Sequence, residues 1–212
     1  MNHKQHGFTL VEIAIVLVII GLLLGGALKG QELINSAKVK NLANDFRSIP
    51  LYIYGYQDKF KRLPGDDPAV LAHLGATGKQ GTDSAAQKIG NGIIEGEWNS
   101  PDLASESALF WQHIRLAGLV TGSTDFTSAT TASLPSNAEG GRVGIQMTPI
   151  AGLSGTFYIC SSGINGKLAP QLDAMIDDGA PDRGSMRMLD AADNSVVTSF
   201  TDSKTYIACM AV

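Results

Sequence analysis

Residues 7–21 read GFTLVEIAIVLVIIG, an apolar run that contains a single carboxylate, Glu12. No further charge follows before Leu28. At about 1.5 Å per residue, a helix from Phe8 to Leu28 spans roughly 30 Å, the thickness of the hydrocarbon core of a bilayer. The run therefore predicts a membrane-spanning helix. Because an unpaired ionised carboxylate in lipid is costly, we expect Glu12 to have a partner of opposite charge.

Two alternatives bear on this run. A secretory signal peptide would place its positive region at Met1–Gly7, with Lys4, but the apolar region is too long and no clean small-x-small cleavage site follows. The helix is therefore expected to persist in the mature protein. Taken by itself, Glu12 has a second interpretation: its carboxylate is stabilised by the helix dipole or is protonated at the membrane interface.

The helical pattern continues beyond the apolar run. Pro50 does not shift the phase of this pattern, although proline inside a helix costs about 3 kcal/mol. We therefore predict one bent helix from Thr9 to Arg62, ended by Leu63-Pro64-Gly65 and amphipathic in its second half. The apolar residues of that half, spaced alternately by three and four, are Val39, Leu42, Phe46, Ile49, Ile53, Tyr56 and Phe60.

The N-terminus resembles a known signature. Residues 4–25, KQHGFTLVEIAIVLVIIGLLLG, are similar to the start of type IV pilins and of the pseudopilins of type II secretion. That family has a short leader ending in glycine, then Phe-Thr-Leu-x-Glu and an apolar run, and Gly7, Phe8 and Glu12 match it in register. The resemblance implies that a prepilin peptidase cuts between Gly7 and Phe8 and that Phe8 is N-methylated. It further implies a helical filament in which Glu12 pairs with the Phe8 amine of a neighbouring subunit.

The resemblance also implies a location. Before assembly, the chain would cross the bacterial inner membrane once, with a periplasmic head, and it would then enter a pilus or a periplasmic pseudopilus. The positive-inside rule favours the opposite orientation, because Lys29, Lys38 and Lys40 follow the apolar run while only Lys4 precedes it. We follow the resemblance here, together with the cysteines discussed below.

Charge is distributed unevenly along the rest of the chain. Residues 29–62 carry a net charge of +4, whereas residues 63–212 carry −8. The acidic head argues against nucleic-acid binding by that region. The basic segment is compatible with contact to lipid headgroups or an acidic neighbour, and equally with a solvated helix face.

The chain has two cysteines, Cys160 and Cys209, and neither belongs to a C-x-x-C motif. Two cysteines downstream of a membrane segment indicate one disulfide in an oxidising compartment. The alternative is a pair of buried free thiols. A disulfide in this position is typical of pilins, so the resemblance favours the first interpretation.

The head is predicted to be α+β. Asp67 and Pro68 mark the start of a short helix, and Ser100 and Pro101 the start of a second one that ends near Gly118. Runs rich in β-branched and aromatic residues predict strands at 142–150, 155–162 and 205–212, with a helix or turn at 170–178 and loops at 75–100 and 121–141. The expected fold is pilin-like: a small antiparallel sheet packed on the second half of the long helix.

The predicted organisation has four parts. Residues 1–7 form the leader, residues 8–28 the membrane and filament-core helix, residues 29–62 its amphipathic continuation, and residues 63–212 the periplasmic head.

Three features of the head bear on chemistry. The turn LDAMIDDGAPDRG, residues 172–184, is a candidate calcium site, although its spacing is not that of an EF-hand and a purely structural turn remains the alternative. The turn GNGIIEGE, residues 90–97, is a further oxygen-rich candidate. His113 is expected to be an exposed or capping histidine. The carboxylates of the first turn are Asp173, Asp177, Asp178 and Asp182.

No nucleophile elbow, P-loop, H-E-x-x-H motif or dinucleotide fingerprint occurs in the sequence, so we expect a structural protein rather than an enzyme. The leading hypothesis is a subunit of a type IV pilus (adhesion, motility or DNA uptake), and the alternative is a type II secretion pseudopilin. A rival of another class is a membrane-anchored periplasmic enzyme or binding protein. Expected partners are other pilin-like subunits, the prepilin peptidase and an inner-membrane assembly platform, and no cofactor is expected apart from the candidate calcium.

Overall fold

The computed structural model describes residues 10–82 and 88–212. Its helices and strands within these ranges are α1 (Leu10–Phe60), α2 (Val70–Leu74), α3 (Glu106–Leu116), α4 (Ala129–Ala132), β1 (Val143–Gln146), β2 (Tyr158–Asn165), α5 (Ala169–Ile176), β3 (Met186–Asp190) and β4 (Thr205–Ala211). The chain divides into two compact units, of which the first ends at Lys38 and the second runs from Val39 to Val212.

Helix α1 confirms the prediction of one long helix, which continues through Pro50. Its end differs slightly from the expectation. Lys61 adopts a left-handed backbone conformation with a φ of 57°, and its N–H donates to the carbonyl of Gln57 at 2.8 Å. The helix therefore stops at Phe60, before Leu63-Pro64-Gly65, because a left-handed residue cannot continue a right-handed helix.

The strands form an antiparallel sheet in the order β1-β2-β4-β3. Strand β2 changes register between Ser161 and Ile164, where Gly163 has a φ of 73° that glycine adopts without strain. Strand β3 was not predicted, because its sequence, MRMLD, is short and contains two charged residues, Arg187 and Asp190. Strands β1 and β4 lie within the segments expected from the sequence, and β2 overlaps its predicted segment but continues three residues beyond it, to Asn165.

The core of the second unit forms where α1 meets the sheet and α3. The buried side chains of α1 are Val39, Leu42, Ala43, Phe46, Ile49, Ile53 and Tyr56. They belong to one apolar cluster with Phe110 and Ile114 of α3, Ile145 and Ile159 of the sheet and neighbouring residues. The predicted stripe is therefore the face that the head covers, which confirms the α+β, pilin-like fold class.

Two predicted helix starts were wrong. Helix α2 begins at Val70. Asp67 Oδ1 accepts the backbone N–H of Ala69 at 2.9 Å in the turn before the helix, and its Oδ2 contacts Tyr56 Oη at 2.7 Å and His73 Nδ1 at 2.6 Å. Helix α3 begins at Glu106 rather than at Pro101. Side-chain hydrogen bonds hold residues 100–104 in turns, which is the conformation that serine and aspartate favour when they bond to nearby backbone.

Candidate functional site

The first unit presents an apolar surface. Large side chains in its described part are each 46% exposed or more. Such a surface is unfavourable in water and needs lipid or other apolar helices around it. Within the ranges that the structure describes, α1 is the helix long and apolar enough to cross a membrane. The exposed residues are Leu10, Val11, Ile13, Ile15, Val16, Leu17, Val18, Ile19, Ile20, Leu22, Leu23, Leu24 and Leu28.

Glu12 lies in the first turn of α1, on the surface of this apolar segment. The predicted leader, the Gly7–Phe8 cleavage junction and the N-methylated Phe8 lie outside the described residues. The pairing of Glu12 with a neighbouring amine therefore stays a prediction, and the structure supplies the exposed position that such a pairing requires.

Cys160 and Cys209 form a disulfide. The two residues lie directly opposite each other on β2 and β4, and both are fully buried. They sit on the sheet face away from α1, in a small apolar cluster with Trp98, Tyr158 and Ile207. The bridge thus ties the C-terminal strand to the centre of the sheet, as the resemblance implied.

The turn after α5 brings three of its four aspartates together. Ligand atoms of Asp173, Asp177 and Asp178 lie within 4.8 Å of one another. Asp182 is exposed and stands outside this group. Asp173 is fully buried, and burial raises its pKa to about 6, with the charges of Asp177 and Asp178 adding to the effect.

Part of the charge in this turn is already satisfied, although Asp173 Oδ2 is buried and receives no hydrogen bond from the residues that the structure describes. The backbone N–H of Gly179 donates to Asp173 Oδ1 at 2.7 Å, and that of Met186 donates to Asp177 Oδ2 at 2.9 Å. Arg183 Nε donates to Asp178 Oδ2 at 2.9 Å. A cation here would have to share Asp178 with an arginine, so calcium at this turn stays a prediction that the geometry only partly favours.

A second acidic group lies between residues 90–97 and the start of α3. Glu106, the first residue of α3, is fully buried, and its Oε2 accepts the backbone N–H of Glu95 at 2.9 Å. Glu95 Oε1 accepts from the Asn91 side chain at 2.7 Å. The remaining oxygens, Glu95 Oε2 and Glu106 Oε1, are buried and receive no hydrogen bond from the residues that the structure describes. Burial raises the pKa of Glu106 to about 9, and its contact with the Glu95 carboxylate adds to this rise.

Asp66 is the third carboxylate of this group. It is 2% exposed and accepts backbone N–H groups from Gly90 and, at 2.6 Å, Gly92. Both glycines have positive φ angles, 79° and 84°, a conformation that suits glycine and turns their amides towards the carboxylate. Residues 90–97 are therefore folded around acidic side chains rather than extended as a simple surface loop.

His113 is buried, and the expectation of an exposed or capping histidine was wrong. The backbone N–H of Gly65 donates to its Nδ1 at 2.9 Å, so Nε2 carries the proton and donates to the carbonyl of Lys79 at 2.7 Å. Both ring nitrogens of the neutral imidazole are thereby satisfied. Protonation would place a second N–H against that of Gly65.

We expect His113 to make the head less stable in acid. Burial lowers the pKa of His113 below its usual 6.5, although the Lys79 carbonyl and the charge of Asp67 oppose the shift. The unfolded chain then binds the proton more readily, so stability should fall as pH drops below 6.5, by up to about 1.4 kcal/mol per pH unit. Denaturant unfolding of the full chain in detergent between pH 7.5 and 5, followed by tryptophan fluorescence, measures this slope.

The variant His113→Gln provides the comparison, because it keeps a polar side chain but removes the titration. Its stability should vary less with pH over the same range. Equal slopes for both proteins would show that His113 does not contribute. Half-buried Asp45 and buried Asp173, whose pKa values rise to about 6, and Glu106, whose pKa rises to about 9, act in the opposite direction in both proteins and cancel in the comparison.

The fold and the exposed apolar helix fit one class: a membrane-anchored protein with a head made of helices and a sheet. A family model described as the prokaryotic N-terminal methylation motif matches residues 2–28. The chain therefore carries the prepilin-type signature of type IV pilins and pseudopilins, and the motif marks it as a pilin-like substrate of a prepilin peptidase. Proteins with this motif are structural subunits rather than enzymes. No curated protein and no solved structure gives a significant match.

Reasoning from the sequence missed Asp66 and Glu106 as members of a buried acidic group. A glutamate at the start of a helix is common because of the helix dipole, so Glu106 carried no distinctive signal. The turn GNGIIEGE was singled out, but its partners lie 24 and 11 residues away in sequence. Only the folded head brings these side chains together.

Proposed function

We propose that residues 8–212 form a structural subunit of a type IV pilus. Before assembly the chain crosses the inner membrane once and holds its head in the periplasm. The observation that carries this proposal is the methylation motif at residues 2–28, which overlaps the exposed apolar surface of α1. Leader removal and a helix with an uncovered apolar surface are the two properties that a filament-core helix needs.

The chemistry of assembly follows from the new N-terminus. Cleavage after Gly7 creates an amine at Phe8, and Glu12 follows it four residues along the chain. In lipid, each charge is costly alone, so pairing between neighbouring subunits favours the assembled state. Gly21, Gly25 and Gly26 leave open space where a side chain would stand, which lets a neighbouring helix approach closely.

Extended loops in the head support a pilus rather than a secretion pseudopilus. Most of residues 75–105 and 117–142 lies outside regular helices and strands among the described residues. Loops of this kind commonly carry surface contacts. A type II secretion pseudopilin is the second candidate, since its subunits share the same N-terminal chemistry.

Mass spectrometry of the protein isolated from its native host tests the shared part of the proposal. We expect the mature chain to begin at Phe8 and to carry one added methyl group on its N-terminal amine. In a strain without the prepilin peptidase, the chain should begin at Met1. A chain that keeps Met1 while the peptidase is active would instead support an anchored enzyme or binding protein.

Electron microscopy with an antibody to the head separates the two filament types. Labelled fibres on intact cells, recovered in the fraction sheared from the surface, are expected for a pilus. Mature, methylated protein that stays in the periplasm at native expression would contradict the pilus assignment and favour a secretion pseudopilus.

A further inference from the structure

We propose that a cavity between α1, α3 and β1 binds a primary ammonium group on a short alkyl chain, with the carboxylate of Asp45 as its counter-ion. The cavity has a volume of about 130 Å³. Since a water molecule takes up about 30 Å³ of the liquid, this space suits a chain of a few carbon and nitrogen atoms. The wall that the argument uses consists of Asp45, Ile49 and Tyr52 of α1, Trp111 of α3, Ser136 and Val143 of β1.

Asp45 is a half-buried carboxylate to which the head offers no partner. Buried Asp67 contacts His73, and Asp190 pairs with Lys204. Among the residues that the structure describes, by contrast, Asp45 has no hydrogen bond and no ion pair. Burial raises the pKa of Asp45 to about 6, so the carboxylate is still mainly ionised at neutral pH. An ionised carboxylate that is partly withdrawn from water is unfavourable alone, and a cation from outside the chain would offset that cost.

Two hydroxyl groups in the same wall are also unused. In the described part of the chain, neither Tyr52 Oη nor Ser136 Oγ takes part in a hydrogen bond. A primary ammonium group has three N–H donors and no acceptor, which suits a wall that offers carboxylate and hydroxyl oxygens. The cavity has one carboxylate in its lining, whereas calcium in proteins usually takes six to eight oxygens, several of them from carboxylates. The lining therefore favours an organic cation over a metal ion.

The rest of this wall is apolar and aromatic. Ile49, Trp111 and Val143 line the cavity and are at most 5% exposed. An alkyl chain gains from contact with such side chains because its methylene groups leave water. The tryptophan ring additionally attracts a cation close to its face. A carboxylate at one part of the wall and apolar surface at another match the two ends of an alkylammonium ion.

Two sources can supply this group. In the filament of the proposed function, neighbouring copies of the chain present lysine side chains to one another. Lys40, Lys88 and Lys167 are exposed, and no described residue engages their amino groups. The second source is a soluble alkylamine. Only the first source rests on the proposed function, and the site itself belongs to the head of a single chain.

Titration of the full chain in detergent with n-butylammonium chloride tests the site. This ion reproduces the end of a lysine side chain, and Trp111 in the cavity wall reports on its binding. At pH 7.5 we expect a saturable change in tryptophan fluorescence with a Kd of about 1 mM, which a ligand of this size can reach. The uncharged analogue 1-butanol should bind at least about tenfold more weakly, because it cannot form a charge-assisted hydrogen bond.

Variants assign the binding to the cavity. Asp45→Asn should weaken binding of butylammonium at least about tenfold, and it should fold because it removes an unpaired charge. Tyr52→Phe should weaken binding by a smaller factor. Asp58→Asn is the matched control, since Asp58 is an exposed carboxylate on the same helix, and it should bind like the wild type. Absence of saturable binding by the wild type, unchanged binding by Asp45→Asn, or equal binding of butanol would each overturn the proposal.

Carbodiimide cross-linking of isolated filaments distinguishes the two sources, because the reagent joins a carboxylate to an amine that touches it. A peptide with Asp45 linked to a lysine of another copy would support the site and assign the ammonium group to the neighbouring subunit. Filaments without this link, from a chain that binds butylammonium, would support the site with a soluble amine as its ligand. If no filament forms, the proposed function fails, while the titration of the single chain still decides whether the site exists.

Discussion

Replacing Glu12 by alanine should reduce incorporation of the chain into filaments at least about tenfold while leaving the head folded. A tenfold change corresponds to about 1.4 kcal/mol, and removing one partner of a buried charge pair typically costs about 2–5 kcal/mol because the other charge stays buried and unpaired. The variant leaves the Phe8 amine without its proposed partner in a neighbouring subunit. The ratio of protein in the sheared filament fraction to protein in the membrane fraction, measured by immunoblot, gives the effect.

Glu32→Ala is the matched control for this experiment. Glu32 lies on the same helix but beyond the apolar segment, where it pairs with Lys29 at 2.6 Å on an exposed surface. Exposed pairs of this kind contribute little, so filament incorporation should remain close to that of the wild type. If Glu12→Ala assembles as well as Glu32→Ala does, the pairing between Glu12 and the neighbouring amine is refuted.

Replacing both cysteines by alanine should lower the stability of the head by roughly 4 kcal/mol, the chain-entropy value for a bridge across 49 residues. For a protein of this size, the corresponding fall in Tm is roughly 8–16 °C. The double substitution Cys160→Ala/Cys209→Ala avoids leaving a free thiol. Thermal unfolding of the full chain in detergent, followed by tryptophan fluorescence, reports on the head because both tryptophans, Trp98 and Trp111, belong to it.

Reductant provides an independent control for this prediction. Treating the wild type with reductant during unfolding should reproduce the lower Tm, whereas the double variant should be insensitive to it. A variant that melts within about 2 °C of the oxidised wild type would show that the sheet is stable without its bridge.

Much of the fold could be predicted because α1 carries a long periodic signal. The stripe from Val39 to Tyr56 keeps its phase through Pro50, and the structure buries those residues. Helical periodicity over this length is informative since many positions agree with one another. Three strands were likewise found from short apolar runs. The disulfide was inferred from two cysteines downstream of a membrane segment and from the resemblance to pilins.

Local signals failed where tertiary contacts decided the conformation. Asp67 looks like a helix cap and accepts the N–H of Ala69, but its other oxygen is engaged with Tyr56 and His73, and α2 begins only at Val70. Strand β3 pairs with β4, and this pairing rather than local propensity makes Met186–Asp190 extended. The paired residues of β3 and β4 are distant in sequence, so no local pattern indicates their contact.

Helix α3 shows why the acidic group escaped prediction. Glu106, Ser107, Gln112 and His113 are all buried, although polar residues of a surface helix normally face water. Each one obtains a specific contact, such as the bond from Gly65 to His113 or that from the Glu95 backbone to Glu106. A sequence pattern shows that a residue is polar, but it does not show whether the folded interior offers that residue a hydrogen-bond partner.

The position of the core on α1 restricts which segments this protein can exchange with related proteins by recombination. Residues Val39 to Tyr56 fill the interior of the head, so the head cannot be transplanted without them. A chimaera joined at Leu63, where the helix has ended, would combine a foreign helix face with a core shaped for Phe46 and Ile53. A viable crossover point therefore lies before Val39, and recombination that diversifies the exposed loops must inherit the second half of the helix together with them.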